Sequence, residues 1–350
     1  MVTNFLLSIL LTLGPEISIA TNTLNPAIAL DSNGAVVIWA DSSTHATRLS
    51  SQSPEAAMQL DSGPYRDAGV ASIGGESLAV WLRNDDLWGQ RIGADGQPDG
   101  PPIYIAFTDS RHTQRFAVGA SRNRYLVAWA ISSRIVVSVI DANGQILAFA
   151  IPIINGEYGR NVEKIAVAST GEDFIVVWDA STSEPWSTPC QIGCPGEDRD
   201  VHSIVVRADG TPRGETEQVL GSGGEPDVAT NGTDFLVAWS RFNGGISARS
   251  IGANGFPKDA AFTLTSGTDF GPRLVWDGSQ FQLVFIGSGG LEVLRVNGGD
   301  PPSVIASGVV PRQFAVASLG GRVVIAYSRS GDLHARFSTA VTGKRRASRH

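Results

Sequence analysis

Short runs of consecutive apolar residues, each ending in an aromatic residue, recur seven times along the 350-residue chain. The runs read AVVIW, SLAVW, YLVAW, FIVVW, FLVAW, FQLVF and VVIAY, and they end at Trp39, Trp81, Trp129, Trp178, Trp239, Phe285 and Tyr327. Successive aromatics are 42 to 61 residues apart. Because the runs are nearly continuous rather than alternating, they predict central strands that are covered on both faces. The Trp residues that end five of the runs are therefore expected in the core.

Three further strands are predicted around each run. A small residue ten positions before most of the aromatics closes a first strand, and a turn rich in Gly and Asn joins it to the run. A third strand follows each aromatic after a polar loop. Turns such as GADGQP, DANGQI, RADGTP and GANGFP then lead to a fourth strand. Four antiparallel strands repeated with a period near 45 predict an all-β protein, a seven-bladed β-propeller.

The two ends of the chain are predicted to meet in the last blade. The seventh repeat has no fourth strand, whereas the segment 17–20, ISIA, is strand-like and precedes the first repeat. We therefore expect this segment to close the ring, which would leave no open sheet edge between the first and last blades. The predicted boundaries are a signal-like or disordered segment at 1–14, one propeller domain at 15–340 and a basic disordered tail at 341–350.

Charge and the N-terminal segment indicate the setting. The net charge of −7 and the pI of about 5.3 argue against nucleic acid as a partner. The stretch FLLSILLTL resembles the apolar part of a signal peptide, although no Lys or Arg precedes it, and it is too short to cross a membrane. We expect an exported protein, extracellular, periplasmic or at the cell surface, that is monomeric and has no cofactor.

The only two cysteines, Cys190 and Cys194, lie in the one long insertion between repeats. A local disulfide is the prediction if the compartment is oxidising. Zinc is the weaker alternative, since two cysteines with the nearby His202 lack a second pair of ligands. No metal site is predicted.

The stretches SRNRYLVAW, STGEDFIVVW and NGTDFLVAW, followed by RADGTP and GANGFP, carry a family resemblance. They resemble the tandem propeller repeats of proteins secreted by bacteria, which have a Gly turn, a Y/F-L-V-x-W strand and an Asp-Gly or Asn-Gly hairpin. The resemblance covers nearly the whole chain. It implies the propeller fold and export, and it implies no particular reaction, because the group has no common activity.

Arginine and aromatic residues are enriched in the loops that a propeller gathers on one face. The candidate ligand-binding residues are Arg66, Arg83, Trp88, Arg115, Tyr158, Arg160, Arg241, Arg273, Arg312 and Arg329. Three of them, Arg83, Arg241 and Arg329, stand two residues after their repeat aromatic and are expected at equivalent positions. Several guanidinium groups around one mouth could hold a carboxylate, sulfate or phosphate.

No catalytic residues can be singled out, because no Ser–His–Asp order and no distinct pair of carboxylates is present. The prediction is a non-enzymatic, exported propeller that binds a glycan, a peptide or a protein through its loop-rich face, with an anionic glycan or a protein as partner. The alternatives are a glycosidase or lyase that acts on acidic sugars, and a structural domain of a surface assembly. Charged loops that pair only with nearby acids would need no ligand at all.

Overall fold

The computed structural model describes residues 13–50, 53–63, 65–108, 116–131, 134–155, 162–181, 199–214 and 217–338. These residues form 29 strands and no helix. The strands make seven antiparallel sheets, and each innermost strand packs against the innermost strands of the two neighbouring sheets. The predicted all-β, seven-bladed β-propeller is therefore confirmed.

The strands are numbered in chain order, and each blade is given from its innermost strand outwards. Blade 1 contains β2 (Leu24–Asp31), β3 (Gly34–Ala40), β4 (Thr44–Ser50), β5 (Ser53–Pro54) and β6 (Met58–Asp61). Blade 2 contains β7 (Tyr65–Ile73), β8 (Glu76–Arg83), β9 (Asp86–Ile92) and β10 (Pro98–Phe107). Blade 3 contains β11 (Phe116–Ala120), β12 (Arg124–Ile131), β13 (Arg134–Asp141) and β14 (Ile146–Asn155). Blade 4 contains β15 (Ile165–Ser169), β16 (Phe174–Ser181), β17 (Arg199–Val206) and β18 (Gln218–Ser222).

Blade 5 contains β19 (Gly224–Thr230), β20 (Phe235–Ser240), β21 (Ile246–Ile251) and β22 (Phe262–Thr263). Blade 6 contains β23 (Phe270–Trp276), β24 (Phe281–Gly287), β25 (Gly290–Arg295) and β26 (Ser303–Ala306). Blade 7 contains β27 (Val309–Leu319), β28 (Arg322–Arg329), β29 (Asp332–Phe337) and, as its outermost strand, β1 (Ile17–Ala20). In blade 1 the fourth position is shared by β5 and β6, which both pair with β4.

The core is made by the second strand of every blade. These strands are the apolar runs of the sequence, and in β3 every residue is buried because neighbouring blades cover both faces. The five Trp side chains that end runs are at most 3% exposed, which confirms their predicted place in the core. Burying a side chain of this size supplies several kcal/mol of hydrophobic free energy, at roughly 25 cal/mol per Å².

The innermost strands approach one another closely because they carry small residues. A Cβ added to Gly119 of β11 would lie 2.5 Å from a methyl carbon of Val167 in β15. One added to Gly69 of β7 would lie 2.9 Å from a methyl carbon of Val118 in β11. A larger side chain at either position would therefore push two blades apart.

The Gly turns between third and fourth strands are where the sequence predicts them. Gly144, Gly210 and Gly255 end such turns with φ between 87° and 89°, a conformation that glycine adopts without steric cost. In each turn the Gly N–H donates to the carbonyl three residues earlier. The second hairpin predicted in each of these repeats is therefore present.

The ring is closed by the N-terminal strand, as predicted. β1 pairs antiparallel with β29, with Ile17 opposite Ala335 and Ser18 opposite His334. Glu16, just before β1, accepts a hydrogen bond from the Tyr327 hydroxyl and one from Arg329 at 2.6 Å. Glu16 Oε1 also lies 3.3 Å from His334 Nδ1.

The segments 1–12 and 339–350 lie outside the described residues, so the signal-like leader and the basic tail stay predictions. In the described residues, no helix is long and apolar enough to span a bilayer.

We predict that β1 is required for stability. A variant that begins at Thr21 loses the strand and leaves the β29 edge and the Tyr327 hydroxyl without partners. Because buried groups left unpaired each cost about 1–3 kcal/mol, the free energy of unfolding should fall by at least about 3 kcal/mol. The matched control begins at Leu13 and retains every contact described for Glu16 and β1. Urea unfolding measures both, and equal midpoints for the two variants would contradict the prediction.

Candidate functional site

The seven innermost strands surround a central channel, and a cavity of about 280 Å³ lies at the end where these strands begin. Residues from all seven innermost strands, or immediately before them, line this cavity. Most of the lining is aliphatic or aromatic. We call the charged lining residues the channel site: Asp67, Lys164, Asp227, Arg273 and Arg312.

Two members of the channel site are charged residues at a repeat position that is small in the other blades. Twelve residues before the aromatic, five blades carry a small residue: Ala27, Gly69, Ala117, Ala166 and Ala315. Blade 5 carries Asp227 and blade 6 carries Arg273 at this position. The strand register places them equivalently, since Asp227 pairs with Ala238 and Arg273 with Val284, each one residue before the aromatic. The repeat therefore supplies a small residue at this place, and the two exceptions put opposite charges on neighbouring strands.

Lys164 immediately precedes β15, and it is buried with only 8% of its surface exposed. Its Nζ has no hydrogen-bond partner among the described residues. Burial, and after it the positive charge of Arg273, lower the pKa of Lys164 from 10.5 to about 8, against the opposing effect of Asp227 and other acids. A charge without a partner in such surroundings is unfavourable, because desolvation is not compensated by hydrogen bonds.

Arg273 also lacks an acidic partner in the part of the chain that the structure describes. Its guanidinium carbon lies 5.3 Å from the centre of the Phe314 ring, a cation–π contact. One of its terminal nitrogens donates to the Pro272 carbonyl oxygen at 2.9 Å. Neither contact supplies negative charge, so the guanidinium retains donors for a further anion.

The other three members of the channel site have partners in the backbone or in other side chains. Asp227 Oδ2 accepts a hydrogen bond from the Leu274 N–H at 2.7 Å, which ties blade 5 to blade 6. Arg312 forms an ion pair with Glu225, although the Arg312 side chain is 61% exposed. Asp67 is nearly buried, and its Oδ1 accepts a hydrogen bond from the Ala68 N–H at 3.0 Å.

A fully buried carboxylate, Asp179, holds the strand starts that carry the site. Its Oδ1 accepts the N–H of Lys164 at 2.9 Å and lies 3.2 Å from an Arg199 Nη1. Its Oδ2 accepts the N–H of Glu225 at 2.8 Å, across the boundary between blades 4 and 5. One carboxylate thus fixes the backbone of Lys164 and of the residue that pairs with Arg312.

The structure brings two of the sequence-predicted site residues, Arg273 and Arg312, into the same cavity. The other three predicted arginines with described side chains are bound by residues outside this cavity. Arg83 pairs with Asp61 at 3.1 Å and stacks over Trp88, with its guanidinium carbon 5.0 Å from the ring centre. Arg241 donates to the Thr265 carbonyl oxygen at 3.0 Å, and Arg329 to Glu16.

The equivalence of Arg83 and Arg329 is visible in the register, since both pair with the start of an innermost strand, opposite Tyr65 and Val309. Their participation in ligand binding stays a prediction. The remaining predicted residues fall outside the described part of the chain or, for Arg66, have no described side chain: Arg66, Arg115, Tyr158, Arg160, Cys190 and Cys194. The disulfide therefore also stays a prediction.

Two histidines of the described residues pack against the Trp residues of the repeat. His45 and His202 stack on Trp39 and Trp178, with ring centres 5.6 and 5.5 Å apart. Each lies directly opposite its Trp on the third strand. In the described segments, no group of three His, Cys, Asp or Glu side chains is arranged to hold a metal ion.

Lys164 and Asp227 are not among the site residues predicted from the sequence. The signal that could have found Asp227 is the position twelve residues before the aromatic, where a charge replaces Ala or Gly. Lys164 occupies a position that is polar in most repeats, so only its burial distinguishes it.

The chain was compared with known proteins. No protein-family model matches it, and no curated protein matches its sequence.

We predict that Lys164 makes the stability of the fold depend on pH between 7 and 10. The unfolded chain keeps this lysine protonated up to its ordinary pKa of 10.5, whereas the folded protein releases the proton near pH 8. The unfolded state therefore binds more protons in this window, and stability rises with pH. The contribution from pH 7 to pH 10 should be about 2 kcal/mol.

The test compares wild type with Lys164→Met by urea unfolding at pH 7, 8, 9 and 10. The variant, which lacks the buried charge, should be the more stable at pH 7, and its advantage should shrink towards pH 10. Lys258→Met is the matched control, because the Lys258 side chain is half exposed. A difference between wild type and Lys164→Met that does not change with pH would contradict the prediction.

Proposed function

We propose that this propeller is a binding protein that holds a small organic anion in the channel site, between Lys164 and Arg273. The observation that carries the proposal is the buried Lys164 amine without a hydrogen-bond partner, beside a guanidinium whose contacts are uncharged. A carboxylate in the cavity would accept hydrogen bonds from both cations, neither of which is hydrogen-bonded to an acid among the described residues. Charge-assisted hydrogen bonds from ammonium and guanidinium donors are about twice as strong as neutral ones.

The cavity limits the size of the ligand. Its volume of about 280 Å³ is just below the range of roughly 300–1,000 Å³ found for sites that enclose drug-sized ligands. A molecule of a few carbon atoms fits, and a polymer could place only its acidic end there. The apolar residues of the lining, with Phe116 and Phe314 among them, favour a ligand with a small hydrocarbon part next to its charged group.

We prefer the channel site to the outer arginines as the anion site, because the outer arginines Arg83 and Arg329 already have carboxylate partners. Arg83 and Arg329 are each neutralised by a carboxylate, Asp61 and Glu16. An anion that approached either guanidinium would have to compete with that acid. At Lys164 no such competitor is in hydrogen-bonding distance among the described residues.

The test is isothermal titration calorimetry with lactate and with inorganic phosphate, at two salt concentrations. We expect lactate to bind, and Arg273→Gln to weaken its binding about 10- to 100-fold, since a charge-assisted hydrogen bond contributes about 1.5–3 kcal/mol. Arg122→Gln is the matched control, because Arg122 is an exposed arginine that pairs with an equally exposed Glu172. Phosphate binding in place of lactate would identify a different anion at the same site.

Affinity should fall with added salt, as the interaction between charges is screened. The absence of binding by both anions, or equal affinity in wild type and Arg273→Gln, would overturn the proposal.

A further inference from the structure

We propose that Lys164 is a nucleophile that captures a small carbonyl acid, of the 2-oxo acid class, as a reversible Schiff base in the channel site. The inference rests on the proposed function, because Arg273 would hold the carboxylate of the same ligand. It goes further in assigning a covalent step to this chain and in naming the carbonyl group as the feature that the site selects.

The surroundings of Lys164 meet the physical requirements for a nucleophilic lysine. An amine reacts only when it is unprotonated, and proteins favour that form by desolvating a lysine or by placing a second cation beside it. Both conditions hold here, since Lys164 is buried and Arg273 is the charged group with the largest effect on it. At pH 8 about half of the Lys164 side chains would be neutral, about a hundredfold more than for an ordinary lysine.

The geometry joins the amine to a space that can hold the reactant. Lys164 lines the cavity of about 280 Å³ together with Arg273. Its Nζ forms no hydrogen bond to a described residue that would first have to break. The four-carbon stem of lysine is flexible and can bring the nitrogen to a carbonyl carbon bound in the cavity. The backbone of Lys164 meanwhile stays fixed by its hydrogen bond to Asp179.

The reaction needs no oxidant and no cofactor. The nitrogen lone pair of the neutral amine forms a bond to the carbonyl carbon, and the C=O π electrons move to the oxygen, which gains a proton as the nitrogen loses one. The resulting carbinolamine expels this oxygen as water while the C=N bond forms. Amine and carbonyl thus give imine and one water. Water can accept and return the proton that the nitrogen loses, and Asp227 is the acid with the largest electrostatic effect on the Lys164 amine.

The experiment incubates the full-length protein with pyruvate and sodium cyanoborohydride at pH 8, followed by intact-mass and peptide mass spectrometry. Reduction of the imine adds to the protein the mass of one pyruvic acid less one oxygen atom. We expect one addition, at Lys164, about a hundredfold faster than at Lys258, the other lysine in the described part of the chain. Lactate has the same carboxylate and no carbonyl, so it should leave the mass unchanged and should slow the labelling by competition.

Two variants separate the nucleophile from the rest of the site. Lys164→Arg keeps a positive charge and removes the amine, so labelling should be lost. Arg273→Gln keeps the amine and removes the carboxylate contact, so the pyruvate concentration at half-maximal labelling should rise about tenfold or more. Circular dichroism checks that both variants fold. Selective labelling of Lys164 in the wild-type protein tests the inference even if one of them does not.

The outcomes distinguish this inference from the proposed function. Lactate binding without selective labelling of Lys164 would overturn the Schiff base and leave the anion site standing. Labelling at equal rates on Lys164 and Lys258 would also overturn it. Failure of lactate, phosphate and pyruvate to bind, with no labelling, would remove both proposals.

Discussion

The closed ring is the constraint on which the rest of this structure depends. A single blade cannot cover both faces of its apolar second strand, so each blade needs two neighbours, and the seventh needs the first. The pairing of β1 with β29 joins the two ends of the chain, and Glu16 adds contacts to Tyr327, Arg329 and His334. Closure also makes the channel, because it brings the starts of seven inner strands around one axis.

Equivalent positions of the seven blades lie around one channel, so residues that depart from the repeat at such a position come together there. Five blades present Ala or Gly where blades 5 and 6 present Asp227 and Arg273. These two charges therefore face a channel that is otherwise lined mainly by small and apolar side chains. Asp179 extends the arrangement, since one buried carboxylate fixes the backbone of Lys164 in blade 4 and of Glu225 in blade 5.

The energetic consequence of this arrangement is a cation that the fold does not neutralise. Burial removes water from Lys164, and the nearby acids only partly offset that loss and the repulsion from Arg273, so the pKa falls to about 8. An interior lysine of this kind is costly for stability. Such a cost is typical of functional sites, where groups are held in unfavourable surroundings for the sake of binding or reaction.

The sequence was sufficient to predict the fold, because period, apolar runs and turns are local signals that repeat seven times. It also predicted β1, since a missing strand at one end matched a spare strand at the other. The partners of Arg83 and Arg329 could not be predicted, because Asp61 and Glu16 approach them from other strands. Lys164 was overlooked for the same reason: its burial and the effect of Arg273 arise only when the blades are assembled. The repeat break at Asp227 and Arg273, by contrast, was readable from the aligned repeats.

The state of the Lys164 amine is the most direct test of this account. The chain contains only three lysines, Lys164, Lys258 and Lys344, so their side-chain carbons can be followed individually by NMR in a protein with ¹³C-labelled lysine. One Cε resonance should titrate near pH 8 and be absent from Lys164→Met, while that of Lys258 should titrate above pH 10. A Lys164 resonance that titrates above pH 10 would contradict this account.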